Sequence, residues 1–486
     1  MSIAGIALAL GLLIYLAYRG ISVLVLAPLV AVVAILFEAG SPLLASYTQI
    51  FMPAAGRFIA LYFPLFLLGA IFGRFMEDSG AATSISNRFV DLLGSGNAIL
   101  AIVLACALLT YGGVSLFVVA FAVYPITTAM FRAANLPKRL IPATIALGAF
   151  TFTMTALPGS PAIQNAIPMP YFNTTPFAAP GLGIITGLIM FGFGIGWLGY
   201  RSRQAKRAGE GYDTLAVKTV RPPLRELREH AQGEGFDLME VGSTETATVS
   251  AQPLTFWLAV SPILIVVLIN YLLSSIVLPR LDAAYLTLPE YGATTMASVK
   301  GIWAIICALL LANIYLVMVS KRLREGFKRS LDDGANASVL PIFNTASLVG
   351  FGAVIASLPG FGIIRDTVLG IAPDNPLVSL AVAVNVLAGI TGSASGGMSI
   401  ALQTLGDTYL TLGREAGISP ELLHRVTSVA TGGLDALPHN GAVITLLSIC
   451  KLTHRHSYLD IFMVAVAGPI IALVILITLG TIFGSF

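Results

Sequence analysis

The sequence predicts an all-α polytopic membrane protein built from two inverted repeats with broken or re-entrant helices. Three observations support this fold class: the composition, apolar runs that recur along the whole chain, and two motifs that repeat at similar separations. Of the 486 residues, 56% are hydrophobic and 10% charged, and the mean hydropathy is +0.88. Soluble domains carry about 25% charged residues. The composition therefore excludes a soluble globular protein, because the polar residues needed to cover a water-facing surface are missing.

The apolar runs predict helices that cross the membrane or enter it. A spanning helix needs roughly 20 predominantly apolar residues. The runs are continuous in Leu, Ile, Val, Ala and Gly, whereas the strands of a membrane β-barrel alternate in hydrophobicity. They lie at 3–19, 21–38, 58–76, 97–110, 114–131, 140–155, 181–200, 254–279, 300–319, 338–357, 377–392, 398–410, 422–434 and 460–482. Several are too short to span alone, so we expect about 12–14 membrane segments, some of them broken.

Two clusters of positive charge, at 201–207 and 321–329, predict the orientation. Cytoplasmic loops of membrane proteins are enriched in Lys and Arg. Two long apolar runs, 254–279 and 300–319, separate the clusters, so both fall on the same side of the membrane. We therefore expect a multi-pass protein of a bacterial inner membrane, with 201–252 in the cytoplasm and both ends of the chain outside.

Residues 201–252 form the long polar stretch of the chain and divide it into three parts. The predicted organisation is a first transmembrane repeat at 1–200, a cytoplasmic linker at 201–252 and a second, inverted transmembrane repeat at 253–486. A regulatory site within the linker is the alternative interpretation of this stretch.

Two short motifs occur once in each half, in the same order. Gly112-Gly113-Val114-Ser115-Leu116 recurs as Gly396-Gly397-Met398-Ser399-Ile400, 284 positions later, and Ala156-Leu157-Pro158 recurs as Ala436-Leu437-Pro438, 280 positions later. By the orientation above, the run 58–76 crosses inward and its counterpart 338–357 crosses outward, so the repeat is inverted. Inverted repeats with interrupted helices in matching positions are typical of secondary transporters, whose substrate site lies near the middle of the membrane.

The second motif lies in two stretches that cannot continue a helix. The first break, 155–165, has two prolines and a glycine within four residues, and the second break, 435–441, contains Pro438 and Gly441. Irregular backbone is not tolerated against lipid, so each break must be buried in protein or line a polar cavity. A helix that begins at a break can hold a carboxylate with its N-terminal N–H groups. The predicted substrate-binding residues in the breaks are Pro158, Gly159, Ser160, Gln164, Asn165, His439 and Asn440. An ordinary loop at the membrane surface is the alternative.

The Gly-rich motifs indicate two further helix interruptions. Their polar and Gly positions are also predicted to bind substrate: Gly113, Ser115, Ser393, Ser395, Gly397 and Ser399. For the Gly112-Gly113 and Gly396-Gly397 pair, a close packing contact between helices explains the glycines equally well.

Ionisable residues inside membrane segments are candidates for ion coupling. Asp407, Asp435 and His439 are the predicted proton-coupling residues, because they lie in or near the interrupted helices. A structural histidine at 439 and a water-facing Asp407 are the alternatives. The pairs Arg365-Asp366 and His424-Arg425 are expected in loops or at interfaces.

Taken together, Tyr111-Gly112-Gly113, Ala156-Leu157-Pro158-Gly159-Ser160-Pro161-Ala162 and Leu437-Pro438-His439-Asn440-Gly441-Ala442-Val443-Ile444 resemble the gluconate permease (GntP) family of proton symporters, and within it the hydroxybutyrate permease-like members. The resemblance covers nearly the whole chain. It implies proton-coupled uptake of a sugar acid or a short hydroxy acid, and membership of a wider superfamily of dimeric transporters with a scaffold and a mobile elevator domain. The gluconate carriers have a histidine in the first break, where this chain has Pro158-Gly159-Ser160-Pro161. That difference argues against gluconate itself.

The predicted function is a secondary active transporter, not an enzyme, that takes up a small organic monocarboxylate by proton symport. Hydroxybutyrate-like acids and sugar acids such as gluconate are the candidate substrates. A sodium-coupled carboxylate or dicarboxylate transporter is the alternative. We expect no cofactor and no metal site, a lipid bilayer and a small organic anion as partners, no nucleic acid, and a homodimer.

Overall fold

The computed structural model describes residues 2–19, 21–38, 40–213, 254–438 and 440–486. Within these ranges every regular element is helical, so the prediction of an all-α polytopic membrane protein is confirmed.

A three-residue helical segment (Leu43–Ala45) and a π-helical turn (Ser46–Phe51) lead into the third of the eleven longer helices described in the first half. The eleven helices are α1 (Ser2–Tyr18), α2 (Val23–Leu36), α3 (Met52–Asp78), α4 (Ala81–Leu93), α5 (Ala98–Tyr111), α6 (Leu116–Ala133), α7 (Ile141–Ala149), α8 (Phe152–Thr155), α9 (Ile163–Ala166), α10 (Pro168–Phe172) and α11 (Pro180–Arg207).

The second half begins after the linker. Its helices are α12 (Phe256–Tyr271), α13 (Met296–Val319), α14 (Lys321–Glu325), α15 (Phe327–Ala337), α16 (Val339–Ser357), α17 (Phe361–Leu369), α18 (Pro376–Thr391), α19 (Ala394–Glu415), α20 (Pro420–Leu434), α21 (Gly441–Ile449), α22 (His454–Phe462) and α23 (Gly468–Phe483). A π-helical turn (Met463–Ala467) joins the last two.

Long spans and short helices are mixed in this fold. Within the described residues, six continuous helical stretches are long and apolar enough to cross a membrane, and α4 and α5 form a pair bent by 105°. Four further apolar helices have 10–17 residues. Many of the predicted segments are therefore short or broken, because Pro and Gly interrupt the apolar runs.

The equivalent helices of the two halves run antiparallel where they pack together. Helix α3 packs against α15 and α16, which lie about 280 positions later: Gly350 contacts the ring of Phe51, and Gly334 contacts Ile71. Residue numbers rise along α3 as they fall along its partner. An axis in the membrane plane that relates the two halves produces this arrangement.

A second pair shows the same relation. Near the start of α11, the N–H of Gly181 donates to the carbonyl of Phe486, 2.8 Å away. Farther along, Phe193 contacts Gly468, and Arg201 near the other end of α11 pairs with Asp460 at 2.8 Å. In both pairs, helices about 280 positions apart in the chain run antiparallel.

Each half also has a helix that stops at a glycine in the left-handed conformation. Helix α5 ends before Gly113 (φ 96°) and α18 ends before Gly392 (φ 62°), 279 positions later. The structural equivalent of Gly113 is therefore Gly392. The sequence match that pairs Gly113 with Gly397 is off by about one helical turn, because Gly397 lies inside α19.

The start of the predicted linker belongs to the folded part of the chain. Helix α11 continues to Arg207, and Glu210 pairs with Arg139 at 2.7 Å. Hydrogen bonding to Glu210 raises the pKa of the Arg139 guanidinium. Asp460 completes this cluster by accepting from Arg139 and Arg201. Most of the predicted linker, 214–252, lies outside the described residues.

Candidate functional site

The two breaks meet at one cavity, which we call the central cavity. Its volume is about 60 Å³, and it lies between the first break, the second break, α16 and the start of α19. Its polar lining residues are Thr155, Gln164, Thr345, Ser395, Asp435 and Asn440. The sequence predicted four of these six as site residues, from three separate stretches of the chain.

A second cavity adjoins the first, and we call it the apolar cavity. Its volume is about 120 Å³, and it shares the side chains Phe66, Leu116, Met154, Ile163 and Pro341 with the central cavity. Most of its wall is hydrocarbon. Thr110, Gly113, Ser115 and Ser338 are among its other lining residues, and the hydroxyls of Thr110 and Ser115 have no hydrogen-bond partner within the described residues.

In the first break, only Gln164 among the predicted residues reaches the central cavity. Gln164 is 8% exposed, and its side-chain oxygen has no hydrogen-bond partner within the described residues. A buried acceptor that lacks a donor is costly in a protein interior. A ligand with a hydroxyl or a protonated carboxyl could supply the missing donor.

The other predicted residues of the first break support its shape. The Ser160 hydroxyl accepts from the N–H of Ala162 at 3.2 Å, and the Asn165 amide donates to the carbonyls of Ser160 and Pro176 at 2.9 Å. The Pro158 carbonyl accepts from Tyr111 at 2.7 Å. Gly159 has φ 82° and packs against Phe177. These residues hold the break and do not line either cavity.

In the second break, Asn440 joins the cavity wall to the start of α21. Its side-chain oxygen caps the helix by accepting from Ala442 and Val443 at 2.7 and 3.1 Å. Its amide donates to the carbonyl of Gly392 at 2.8 Å. Asn440 thus connects the second break to the interruption between α18 and α19. His439 lies outside the described residues.

The Ser/Thr cluster is engaged largely in internal hydrogen bonds. The Ser393 hydroxyl caps α19 by accepting from Gly396 at 3.2 Å, and the Thr391 hydroxyl lies within hydrogen-bond distance of the carbonyls of Leu387 and Ser393. Ser395 is the member that lines the central cavity, where its hydroxyl lies 3.4 Å from that of Thr345.

Two predicted residues on α19 lie away from both cavities. Gly397 packs directly against the backbone of Ala388 on α18, so close packing accounts for this glycine. Ser399, two residues farther along α19, is fully buried. Neither residue lines a cavity.

The two predicted acidic residues are in different environments. Asp435 is partly buried and lines the central cavity. Asp407 is exposed on α19 and lines neither cavity, which agrees with the water-facing alternative.

The expectation that His424 and Arg425 lie in a loop or at an interface is wrong. Both are 0% exposed, on the first half of α20. Arg425 donates to backbone carbonyls of the 155–178 region. Every residue has a backbone carbonyl, so the sequence does not reveal which ones will accept from Arg425. The position of a cation in the middle of a largely apolar stretch, 422–434, was the available signal. The other pair, Arg365 and Asp366, is exposed on α17.

The electrostatics of the central cavity suit an anion held without a side-chain cation. Among its described lining residues, none is Lys, Arg or His. The helices α19 and α21 begin at the wall of this cavity. Ala394 and Ser395 of α19 line the cavity, and so does Ala442 of α21. Helix N-termini carry a partial positive charge and exposed N–H groups. Within the described residues, no group of three or more His, Cys, Asp or Glu is placed to bind a metal ion.

Comparison with known proteins shows a relative of this chain and a solved structure with a similar fold. No protein-family model matches the chain. The chain is 44% identical over 472 residues to a Bacillus subtilis (strain 168) protein described as an uncharacterized transporter, YxjC, and the match covers 95% of each. The fold is similar to the crystal structure of the Alcanivorax borkumensis YdaH transporter, with a TM-score of 0.52 and 16% identity, covering 89% of this chain and 87% of that one. At that identity the likeness shows the fold alone.

Proposed function

The chain belongs to the family of the Bacillus subtilis transporter YxjC, and we propose from this premise that it takes up a small organic monocarboxylate by proton symport. We further propose that it is related to the gluconate permease family, that it works as a homodimer in a bacterial inner membrane, and that 201–252 faces the cytoplasm.

The central cavity is the observation that carries this proposal. It lies where the two repeats meet, which is where secondary transporters bind their substrates. The cavity is small, its described lining has no cation, and two helices begin at its wall. Gln164 lines the same cavity, and its buried side-chain oxygen has no hydrogen-bond partner within the described residues. A carboxylate near the two helix starts would meet their partial positive charge, and a neighbouring hydroxyl would supply the donor that Gln164 lacks.

The apolar cavity favours a short aliphatic acid over a sugar acid. A sugar acid carries a hydroxyl on every carbon of its chain, and each buried hydroxyl needs a hydrogen-bond partner. The apolar cavity offers few polar groups beyond the hydroxyls of Thr110 and Ser115. A hydroxybutyrate-like acid has one hydroxyl and otherwise buries hydrocarbon. Gluconate is therefore the second candidate substrate.

Asp435 supplies the reason for proton coupling. An ionised Asp435 and a substrate carboxylate in one small cavity repel each other, and no described cation lines the cavity to offset the repulsion. Protonation of Asp435 removes the repulsion and adds a donor. Proton and substrate then strengthen each other's binding, as thermodynamic linkage requires. His439 is the second candidate carrier, from its place in the second break.

Sodium coupling remains the alternative mechanism. It would use oxygen atoms around Thr391 to Ser395 as ligands, and Thr391 and Ser393 already engage theirs in hydrogen bonds with the backbone. The Thr391 hydroxyl donates in its bonds and keeps lone pairs for a cation, whereas the Ser393 hydroxyl already accepts from Gly396.

The test is uptake of labelled hydroxybutyrate into proteoliposomes that contain the purified full-length protein. With an inward proton gradient we expect accumulation, which persists when choline replaces sodium and which excess unlabelled hydroxybutyrate inhibits more than gluconate does. Uptake that follows a sodium gradient at fixed pH would support the alternative. No uptake of either acid under any gradient would contradict the proposed function.

A further inference from the structure

The apolar cavity adjoins the central cavity along a shared apolar wall. The side chains that line both cavities carry no charge and no N–H or O–H group, and they are Phe66, Leu116, Met154, Ile163 and Pro341. The boundary between the cavities therefore suits the hydrocarbon part of a substrate whose carboxylate lies in the central cavity.

One face of α3 forms part of the wall of the apolar cavity, and a glycine lies within that face. Leu65, Phe66, Gly69 and Ala70 line the cavity, and residues at this spacing share one side of a helix. At about 3.6 residues per turn, position 69 points between Leu65 and Phe66. A side chain at position 69 would therefore project into the cavity.

Close packing between helices does not account for this glycine. Glycine is less favourable than alanine inside a helix, and in membrane proteins the close approach of a second helix commonly explains its use. Gly112 and Gly397 are of that kind, because an added Cβ atom would collide with Ile263 and with the backbone of Ala388. Among the described residues, a Cβ atom at Gly69 would meet no atom within 4 Å beyond its own stretch of helix. Gly69 thus leaves space in the cavity.

The apolar cavity is larger than the tail of hydroxybutyrate needs. Beyond the carbon that carries its hydroxyl, 3-hydroxybutyrate has a single methyl group. The cavity has a volume of about 120 Å³. A water molecule, which is close to a methylene group in size, takes about 30 Å³ in the liquid, so the cavity has room for a tail of about three or four carbons.

Two hydroxyls limit how far an apolar tail can extend. Thr110 and Ser115 lie at the interruption between α5 and α6 and line the same cavity. Neither hydroxyl has a hydrogen-bond partner within the described residues. Covering a hydroxyl with hydrocarbon, without giving it a partner, is unfavourable. A tail that fills the hydrocarbon part of the cavity is therefore stabilised, whereas a longer tail that reaches these hydroxyls gains nothing more.

We propose that the apolar cavity holds the hydrocarbon tail of the substrate, so that hydroxy acids of about six or seven carbons bind more tightly than hydroxybutyrate. Gly69 is the residue that sets this chain length, because it leaves the space that the tail fills. The inference rests on the proposed function, since it takes the central cavity as the site of the carboxylate.

The test is the dissociation constant of 3-hydroxybutyrate, 3-hydroxyhexanoate and 3-hydroxyoctanoate for the full-length protein in lipid nanodiscs. Each buried methylene group should raise the affinity by about fourfold, which corresponds to about 0.8 kcal/mol. We therefore expect 3-hydroxyhexanoate to bind about tenfold more tightly than 3-hydroxybutyrate, and 3-hydroxyoctanoate no more tightly than 3-hydroxyhexanoate. Nanodiscs without protein measure the share of each acid that enters the lipid.

Gly69→Leu fills the proposed tail site and should remove most of the advantage of 3-hydroxyhexanoate over 3-hydroxybutyrate. Gly56→Leu is the matched control, because Gly56 is an exposed residue of α3 that also has open space for a Cβ atom and lines neither cavity. It should keep the wild-type preference. Gly69→Ala should reduce the preference in part, and it provides the comparison if Gly69→Leu does not yield folded protein.

Two results would overturn the inference. One is equal affinity for the three acids in the wild type. The other is an affinity that rises with chain length in the same way in the wild type and in both Gly69 variants, which would mean that the longer acids are held elsewhere or that a lipid chain occupies the cavity.

Uptake of the same acids into proteoliposomes separates this inference from the proposed function. Binding with the expected length dependence but without uptake would contradict the proposed function and leave the tail site intact. Proton-driven uptake of hydroxybutyrate without any length dependence of binding would contradict the tail site alone. Binding of none of the acids would contradict both.

Discussion

Gln164 and Ser160 are four positions apart in the first break, and the structure gives them different roles. Gln164 lines the central cavity with an unpartnered oxygen, whereas the Ser160 hydroxyl is fully buried and accepts from a backbone N–H. The sequence predicted both as substrate-binding residues. Only Gln164 can reach a ligand in the central cavity without a change in the break.

We therefore expect Gln164→Ala to weaken substrate binding by about twofold to tenfold, because a hydrogen bond between neutral groups contributes about 0.5–1.5 kcal/mol. Ser160→Ala should leave the affinity unchanged and lower the thermal stability, because the Ala162 N–H loses its partner. The measurements are substrate titration and thermal unfolding of the purified variants. Gln49→Ala, at an exposed position on another helix, is the control and should change neither quantity. Wild-type affinity in Gln164→Ala would remove this residue from the proposed site.

At the scale of helices, the close packing of α18 against α19 depends on a glycine. A side chain at position 397 would collide with the backbone of Ala388, which cannot move aside as a flexible side chain can. Gly362, a half-buried residue of α17, has open space where a Cβ atom would lie.

From this contact we predict that Gly397→Ala destabilises the protein by about 1–3 kcal/mol, the usual cost of overpacking a core. Gly362→Ala is the matched control and should be neutral or slightly stabilising, because alanine favours helix more than glycine does. Thermal unfolding in detergent, monitored with a thiol-independent dye, provides the comparison. Equal melting temperatures for the two variants would mean that α18 and α19 are not in close contact.

These elements also show what the sequence can and cannot reveal. Prolines and glycines at 158–161 and 438–441 predict the breaks because their backbone chemistry prevents a continuous helix. Arg425 was placed wrongly because its partners are backbone carbonyls, which every residue carries. The pairing of Gly113 with Gly397 failed for a similar reason: a left-handed glycine and a packing glycine look alike in sequence.

At the scale of the whole molecule, α3 runs antiparallel to α15–α16, and α11 runs antiparallel to α22–α23. The segment 281–295 connects α12 to α13 and contains short helical turns. Each of these two helices belongs to a long apolar stretch. The segment therefore lies at the opposite face from the basic cluster at 321–329, which the distribution of charge predicts to be cytoplasmic.

Cysteine labelling of intact cells tests this orientation. We expect an impermeant maleimide to label Glu290→Cys, and to label Lys328→Cys and His230→Cys only after the membrane is opened. Glu290 and Lys328 are both exposed, so accessibility within the protein is matched. The exposed native Cys307 should be replaced by serine to lower the background. The reverse labelling pattern would invert the topology and with it the direction of uptake.

The central claim is that one proton and one carboxylate bind together at the cavity that Asp435 lines. The most direct measurement is the dissociation constant of hydroxybutyrate as a function of pH, for the wild type, Asp435→Asn and the control Asp407→Asn. A single coupled proton changes the apparent affinity by up to about tenfold per pH unit. The account predicts that wild type and Asp407→Asn bind more weakly as the pH rises, and that Asp435→Asn loses this dependence while still binding substrate. An affinity that does not change with pH in the wild type, or an unaltered pH dependence in Asp435→Asn, would contradict it.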